Sequence, residues 1–432
     1  MLFLFLLSLS STVLSSSVKH EQVVLSFHGN TSTMHVTWIS LNDLDNGDVP
    51  FVSYGSDSSS LYMRANAYIT KWTDGGPEKI SRNTYRAKMV GLTPGKRYFY
   101  KVGSSGSTFS DRFTFMNLDA TWPKLKVGVY ADLGLTDDYS LRPLINATQQ
   151  GNFDIVFHVG DIAYDLESDN GRHGDKFMNA IQNMTAFVPW MVVAGNHEAG
   201  QNYNHYINRF TMPSNGIYND NQFWSFTLGN THFIGLSTEY YGSGMTAQAQ
   251  QQYNWLLNDL KKHKAPWTVA FMHRPMYCSN DSPSGCQDYE EKMTRDGEPG
   301  LPALEPVFNL GGIDMVFWGH KHAYERNWPV YKSVVYSQGQ SENYYHNSAT
   351  PVYIMTGAAG THDHEFAVRY KQLYTKVFLG DYGYNKLNII SPTQIQTSFI
   401  TTDPRMPETT KDPFTLTKDY NYKPGQNLNL KL

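Results

Sequence analysis

Apolar and polar positions follow two regimes along the chain, and the change falls near Trp122-Pro123. Before it, from about Val18 to Asp119, short apolar stretches lie between turn signals. Met34, Val36 and Trp38 alternate with His35 and Thr37, the period-two pattern of a strand with one buried face. Further strands are predicted over 51–54, 85–92, 97–102 and 112–115. Helical spacing is absent, so residues 18–120 are expected to be an all-β module. The region shows no cluster of titratable groups and is expected to serve in packing.

After Trp122-Pro123 the runs become compact and continuously apolar: 125–131, 155–159, 188–194, 267–272 and 315–318. Such runs suit strands buried on both faces. Between the later ones, Ala249, Tyr253, Leu256, Leu257 and Leu260 recur at helical spacing, with Thr246 placed to cap. Strands alternating with helices predict a layered α/β domain over 121–432, with sites beyond the carboxyl ends of its strands. Residues 352–360 and 386–390 are expected to extend the sheet. The stretch 402–432 is polar and turn-rich and is assigned no core role.

Length and charge narrow the picture. A chain of 432 residues predicts two or three domains. A net charge of -4, with no run of Lys or Arg, disfavours nucleic acid as a partner. Residues 1–17 start apolar and uncharged and end on Ser15, Ser16 and Ser17, which reads as a secretory signal peptide despite the missing basic residues. No later stretch reaches the roughly 18 apolar residues of a membrane helix, and 423–432 is too polar for a lipid-anchor signal, so no membrane anchor is expected. With secretion granted, Asn30, Asn146, Asn183 and Asn280 in Asn-x-Ser/Thr triplets become glycosylation candidates. Cys278 and Cys286 are close enough to form a small loop disulfide in an oxidising compartment; two unrelated thiols are the alternative. The predicted location is secreted or lysosomal.

Five of the apolar runs end in metal-ligating side chains: Asp132, Asp161 with Tyr164, Asn196 with His197, His273, and His320 with His322. One Asp after a strand is more often a turn residue than a ligand. Five strand ends of one kind reverse that judgement, because a sheet that collects Asp, Tyr, Asn and His at one edge can hold two ions. Two ions about 3.5–4 Å apart suit phosphate-ester hydrolysis. Gly160 and Gly195 permit tight turns beside the ions. Tyr164 is the informative member: a phenolate serves a hard, highly charged ion such as ferric iron, and it lies one helical turn beyond Asp161.

With these blocks in this order, the chain resembles the purple acid phosphatases of the calcineurin-like metallophosphoesterase superfamily, over about 124–392. The amino-terminal region resembles the fibronectin type III-like sandwich of the larger members, with the 92–100 turn as the place where a Tyr pins the corner. The resemblance implies a four-layer α/β catalytic domain, a β-sandwich flanked by helices. It implies that Asp132, Tyr164 and His322 hold Fe(III), that Asn196, His273 and His320 hold a divalent ion (Zn, Fe or Mn), and that Asp161 bridges. Gly134 stands where the wider superfamily has a His, and Tyr164 fills that vacancy. Ala270 replaces a common Val, and 277–291 has no His to protonate a leaving group. His197 is therefore the candidate phosphoryl-binding or acid residue, together with Asn196; His362 and His364 are read as a solvated loop.

The implied activity is acid hydrolysis of small phosphate monoesters by in-line attack of a metal-bound hydroxide, with an acid optimum. The alternatives are a nucleotide pyrophosphatase or phosphodiesterase, and a secreted metal-binding glycoprotein without hydrolase activity.

Overall fold

Two four-stranded antiparallel sheets form the amino-terminal region of the computed structural model, which describes residues 18–280, 286, 289–403, 405–426 and 428. The stretch 1–17 lies outside the described residues. One sheet runs Glu21–Ser26, Thr33–Ser40, Ser81–Val90, Tyr68–Thr73; the other runs Met63–Asn66, Pro50–Gly55, Arg97–Ser104, Phe113–Met116. Val36, Trp38 and Tyr85 from the first meet Val52, Tyr54 and Tyr100 from the second in one core. At the corner, Thr93 N–H donates to Tyr98 Oη at 2.9 Å.

The alternation in Thr33–Ser40 predicts a solvated face, and the structure corrects this. Thr37 is buried because that face packs on the carboxyl-terminal domain, where its hydroxyl meets Thr211 Oγ1 at 2.8 Å. Nor is the sandwich free of titratable clusters. Asp74, Arg82 and Arg86 are buried, and all three bond residues of the carboxyl-terminal domain. Sequence pattern alone gives no sign that a polar face will be covered.

Beyond Trp122, two mixed sheets of seven strands face each other. The first runs Trp190–Val193, Ile155–Val159, Leu125–Tyr130, Gly383–Ser391, Gln394–Thr401, Thr410–Thr417, Tyr344–His346. The second runs Trp224–Leu228, Thr231–Gly235, Trp267–Phe271, Met315–Trp318, Val352–Thr356, Tyr324–Asn327, Thr375–Leu379. Phe157 stacks on Phe271 at 4.1 Å across the space between them, inside one continuous apolar cluster. Helices Leu141–Gln149 and Arg172–Thr185 cover the outside of the first sheet through Leu144, Phe177 and Ile181. Thr246–Lys262 and Leu304–Leu310 cover the second through Leu256, Leu260 and Phe308. The order is helix, sheet, sheet, helix.

Two expectations fail here. Thr246 is the first residue of its helix rather than its cap, and Met245 caps without a side-chain hydrogen bond. The stretch after Thr402 does contribute to the core: Thr410–Thr417 pairs with Gln394–Thr401, and Phe414 and Leu416 are buried. Phe414 and Leu416 are its only large apolar residues, and the polar residues around them hid it. Among the described residues, no helix is long and apolar enough to cross a membrane.

Candidate active site

The parallel pairs Leu125–Tyr130 with Ile155–Val159, and Trp267–Phe271 with Met315–Trp318, run in the same direction and end together. Asp132, Asp161, Asn196, His273 and His320 each follow one of these strands or their neighbour Trp190–Val193 within three residues. The approach is tight enough to require glycine. A Cβ on Gly195 would fall 2.3 Å from Asp161 Oδ1, and one on Gly160, whose φ is +84°, would fall 2.4 Å from His273 Nδ1.

All seven predicted ligands come together. Donor atoms of Asp161, His273 and His320 lie within 4.8 Å of one another, and so do those of Asp132, Asp161 and His322. Asp161 belongs to both groups. Asn196 Oδ1 sits in the first, 2.8 Å from His320 Nδ1 and 3.1 Å from His273 Nε2. Tyr164 Oη sits in the second, 2.9 Å from His322 Nε2 and 3.2 Å from Asp132 Oδ1.

The backbone carrying them is strained. Asp132, Asp161, Tyr164 and His320 have φ of 61°, 53°, 56° and 73°. Such left-handed residues cost about 1–3 kcal/mol each and survive where their surroundings fix them. Glu198 is one fixing element. Its buried carboxylate accepts the N–H groups of Asp161 (2.9 Å), Ile162 (2.8 Å) and Gly195 (2.7 Å), tying two ligand loops together. Sequence reasoning gave Glu198 no role; a lone acid inside a Gly-Asn-His-Glu turn was the available signal.

The donor chemistry fits a pair of cations. His273 Nδ1 donates to Val159 O at 3.0 Å and His322 Nδ1 to Asp363 O at 3.0 Å, which leaves both Nε2 lone pairs facing the cluster. His273 Nε2 then points at Asp161 Oδ2 (3.1 Å) and Asn196 Oδ1, both acceptors. Acceptors turned on acceptors in a buried site need a positive charge between them. Protons alone would supply it through the imidazoles: burial lowers His273, but the Asp161 carboxylate outweighs it and raises the group to about 10. His322 is likewise lowered by burial and raised, to about 9, by Asp132. Burial, then the Asp132 and Asp161 carboxylates, push the Tyr164 phenol well above its ordinary value, so that it ionises only beside a strong cation.

His197 lies at the rim. Its N–H donates to Asp161 Oδ1 at 3.0 Å, its ring leans on Tyr164 at 4.6 Å, and Nδ1 is held by Asp165 Oδ1 at 2.7 Å. Sequence reasoning missed Asp165, whose only signal is its place after Tyr164. Of the two loop histidines, His362 stands exposed with its ring 6.4 Å from that of Tyr164. His364 turns away, bonding Gly380 O at 3.1 Å and stacking on Tyr382 at 3.8 Å. Cys278 and Cys286 are joined by a disulfide beyond His273. The side chains of Asn30, Asn146 and Asn183 are exposed, while Asn280 is half-buried beside that disulfide.

This fold and donor set define a metal-dependent phosphoesterase of the calcineurin-like class, and a family profile described as calcineurin-like phosphoesterase matches residues 125–324. Profiles of the purple acid phosphatase N-terminal domain and of the iron/zinc purple acid phosphatase-like protein C match 20–117 and 350–406. Acid phosphatase type 7 of Homo sapiens is 36% identical over 421 residues, 93% of this chain and 92% of that protein. Purple acid phosphatase 15 of Arabidopsis thaliana is 27% identical over 391 residues, 79% of this chain and 68% of that one. The solved structure of the purple acid phosphatase PPD1 from yellow lupin shares the fold, with a TM-score of 0.78 at 21% identity, over 93% of this chain and 75% of the other. The chain belongs to the purple acid phosphatases, and it is an acid phosphatase.

Proposed function

We propose that the enzyme hydrolyses small phosphate monoesters at a binuclear site in which Asp132, Tyr164 and His322 hold ferric iron and Asn196, His273 and His320 hold a divalent ion (Zn, Fe or Mn). The observation that carries this reading is the membership of Asp161 in both donor groups, which suits a carboxylate shared between two ions. When bound, the ions neutralise charge on the phosphoryl oxygens and acidify water.

The protein's own groups do the rest. Glu198 fixes the loops that present Asp161 and Asn196. Asp165 holds His197 through Nδ1, which turns Nε2 outward; a ring that carries a proton on both nitrogens donates from Nε2 to a phosphoryl or leaving-group oxygen. Tyr164 supports the imidazole through its ring. The Cys278–Cys286 disulfide supports a secreted or lysosomal setting, in which Asn30, Asn146, Asn183 and Asn280 would be open to glycosylation.

Metal analysis, with rates on p-nitrophenyl phosphate and bis(p-nitrophenyl) phosphate side by side, tests the reading. One iron plus one divalent ion per chain and a strong monoester preference are expected, with an acid optimum. Faster diester hydrolysis would move the substrate class to phosphodiesters. An Asp161→Asn variant with full activity would remove the shared-carboxylate site altogether.

A further inference from the structure

The segment that leaves His197 enters its helix through one turn of left-handed backbone: Gln201, Asn202 and Tyr203 have φ of 53°, 58° and 61°. Non-glycine residues hold such a run only where their neighbours fix it. Here the neighbours come from the amino-terminal sandwich. Asp74, wholly buried in the turn after strand Tyr68–Thr73, accepts Gln201 Nε2 at 3.0 Å and His205 Nε2 at 2.6 Å. Gly75 N–H donates to Gln201 Oε1 at 2.5 Å, and Asn204 Nδ2 donates to Thr73 O at 3.0 Å.

The same sandwich turn also reaches the segment that carries Asp165. Asp165, Asp169 and Asn170 are left-handed as well, with φ of 78°, 52° and 56°. Glu78 N–H donates to Asn170 Oδ1 at 3.0 Å, Asn170 Nδ2 returns a bond to Glu78 Oε1 at 3.1 Å, and Arg82 Nη2 donates to Asn170 O at 2.9 Å. Both strained segments are thus gripped at their far ends by one turn of another domain. At their near ends they meet through His197 Nδ1 and Asp165 Oδ1.

We propose that the 74–78 turn of the sandwich is a positioning element of the active site: Asp74 and Gln201 hold the backbone that sets His197 against Asp165, so phosphate affinity depends on the amino-terminal domain. This rests on the phosphoryl-binding role given to His197 above. Among the described residues, the side chains of Gln201 and Asp74 hydrogen-bond each other, Gly75, Gly76, Asn204 and His205 and none of the seven ligands, so their loss should spare the metals while displacing His197.

The test uses the full-length, metal-loaded protein with Gln201→Ala and Asp74→Asn, and with His197→Ala measured alongside. Inorganic phosphate serves as the competitive inhibitor and p-nitrophenyl phosphate as the substrate. Hydrogen exchange of 196–205 is followed by mass spectrometry. Both clamp variants are expected to raise KM and the phosphate inhibition constant about tenfold, to speed exchange across 196–205, and to leave metal content and visible absorption unchanged. Parental exchange and inhibition constants within twofold of the parent, even with a lower melting temperature, would overturn the proposal. Loss of metal to the same degree as loss of affinity would overturn it too. If His197→Ala leaves phosphate inhibition unchanged, the His197 reading fails by itself, and the clamp is then judged on exchange of 196–205.

Discussion

His197 Nδ1 lies 2.7 Å from Asp165 Oδ1, and this contact decides which ring nitrogen faces the metal-ligand cluster. A neutral imidazole donates from one nitrogen only. With the Nδ1 proton on Asp165, Nε2 is an acceptor; with a second proton it becomes a donor to a phosphoryl oxygen while Asp165 balances the charge. His197→Ala is expected to lower kcat/KM by about 100- to 1000-fold, the scale for losing one aimed donor. Asp165→Asn should cost about tenfold, because the ring stays in place with a weaker partner. Steady-state kinetics on both variants checks the order, and a larger loss at Asp165 than at His197 would mean that Asp165 acts on something other than this ring.

Tyr164 offers a spectroscopic test that needs no substrate. Its phenol contacts Asp132 and His322, and burial keeps it protonated until a strong cation displaces the proton. Tyr164→Phe keeps the ring against His197 and removes only the oxygen. Broad visible absorption is expected in the parent and none in the variant; a band that persists would assign the chromophore elsewhere. Stripping the metals should also lower thermal stability. An ion present at 1,000 times its dissociation constant contributes about 4 kcal/mol, so a melting temperature indifferent to chelation would contradict the fit.

Much of this site was legible from sequence because metal ligands sit where buried strands stop, and a buried strand announces itself as an apolar run. Asp132, Asp161, His273 and His320 could be placed at strand ends on that basis alone, but the single sheet edge expected for them is in fact two: Asp132 and Asp161 follow strands of one sheet, His273 and His320 strands of the sheet facing it. Glu198 and Asp165 could not, since their work is to hold backbone N–H groups and an imidazole, and nothing in a one-dimensional pattern distinguishes them from surface acids. The covered face of Thr33–Ser40 was hidden for a related reason. Thr37, Arg82 and Arg86 are polar, yet they are buried in an interface between domains, and alternation reports a strand's chemistry rather than what lies against it. The late strand Thr410–Thr417 completes a sheet begun nearly three hundred residues earlier and has too few apolar residues to stand out.

Asp175 joins the two domains through a buried ion cluster. Its carboxylate accepts Arg82 Nη2 at 2.7 Å from the sandwich and Arg209 Nη2 at 2.8 Å from the catalytic domain. Burial would raise its pKa, but the Arg209 and Arg82 guanidiniums outweigh that and hold it near about 2. Asp175→Ala leaves two guanidiniums buried with their countercharge gone, a loss of about 3–5 kcal/mol. Denaturant unfolding should show a shift of that size; a change below about 1 kcal/mol would mean that water reaches the site and replaces the carboxylate.

Stability should respond to pH from opposite directions at two places. Burial pushes Glu305 and Glu325 up to about 7, against hydrogen bonds from Tyr277 and Thr375 respectively. Their folded pKa exceeds the ordinary 4.5, so the native state keeps protons that the unfolded chain has lost. The stability they contribute is full below about pH 4.5 and disappears as pH rises through 7, on the order of 3 kcal/mol for each. The stacked pair His28 and His35, with rings 3.6 Å apart, works the other way. Burial, then mutual repulsion, lowers His28 to about 3, and burial, then Lys88, lowers His35 to about 4. Their contribution is full above about pH 6.5 and is lost as pH falls toward 4, roughly 1–2 kcal/mol each given their partial exposure. Glu325→Gln copies the protonated acid, so its melting temperature should gain on the parent as pH goes from 5 to 8. His35→Gln removes one of the two histidine titrations, so it should gain on the parent as pH goes from 7 to 4.5. Parallel curves for either variant and the parent would show that the group titrates alike in the folded and unfolded chains.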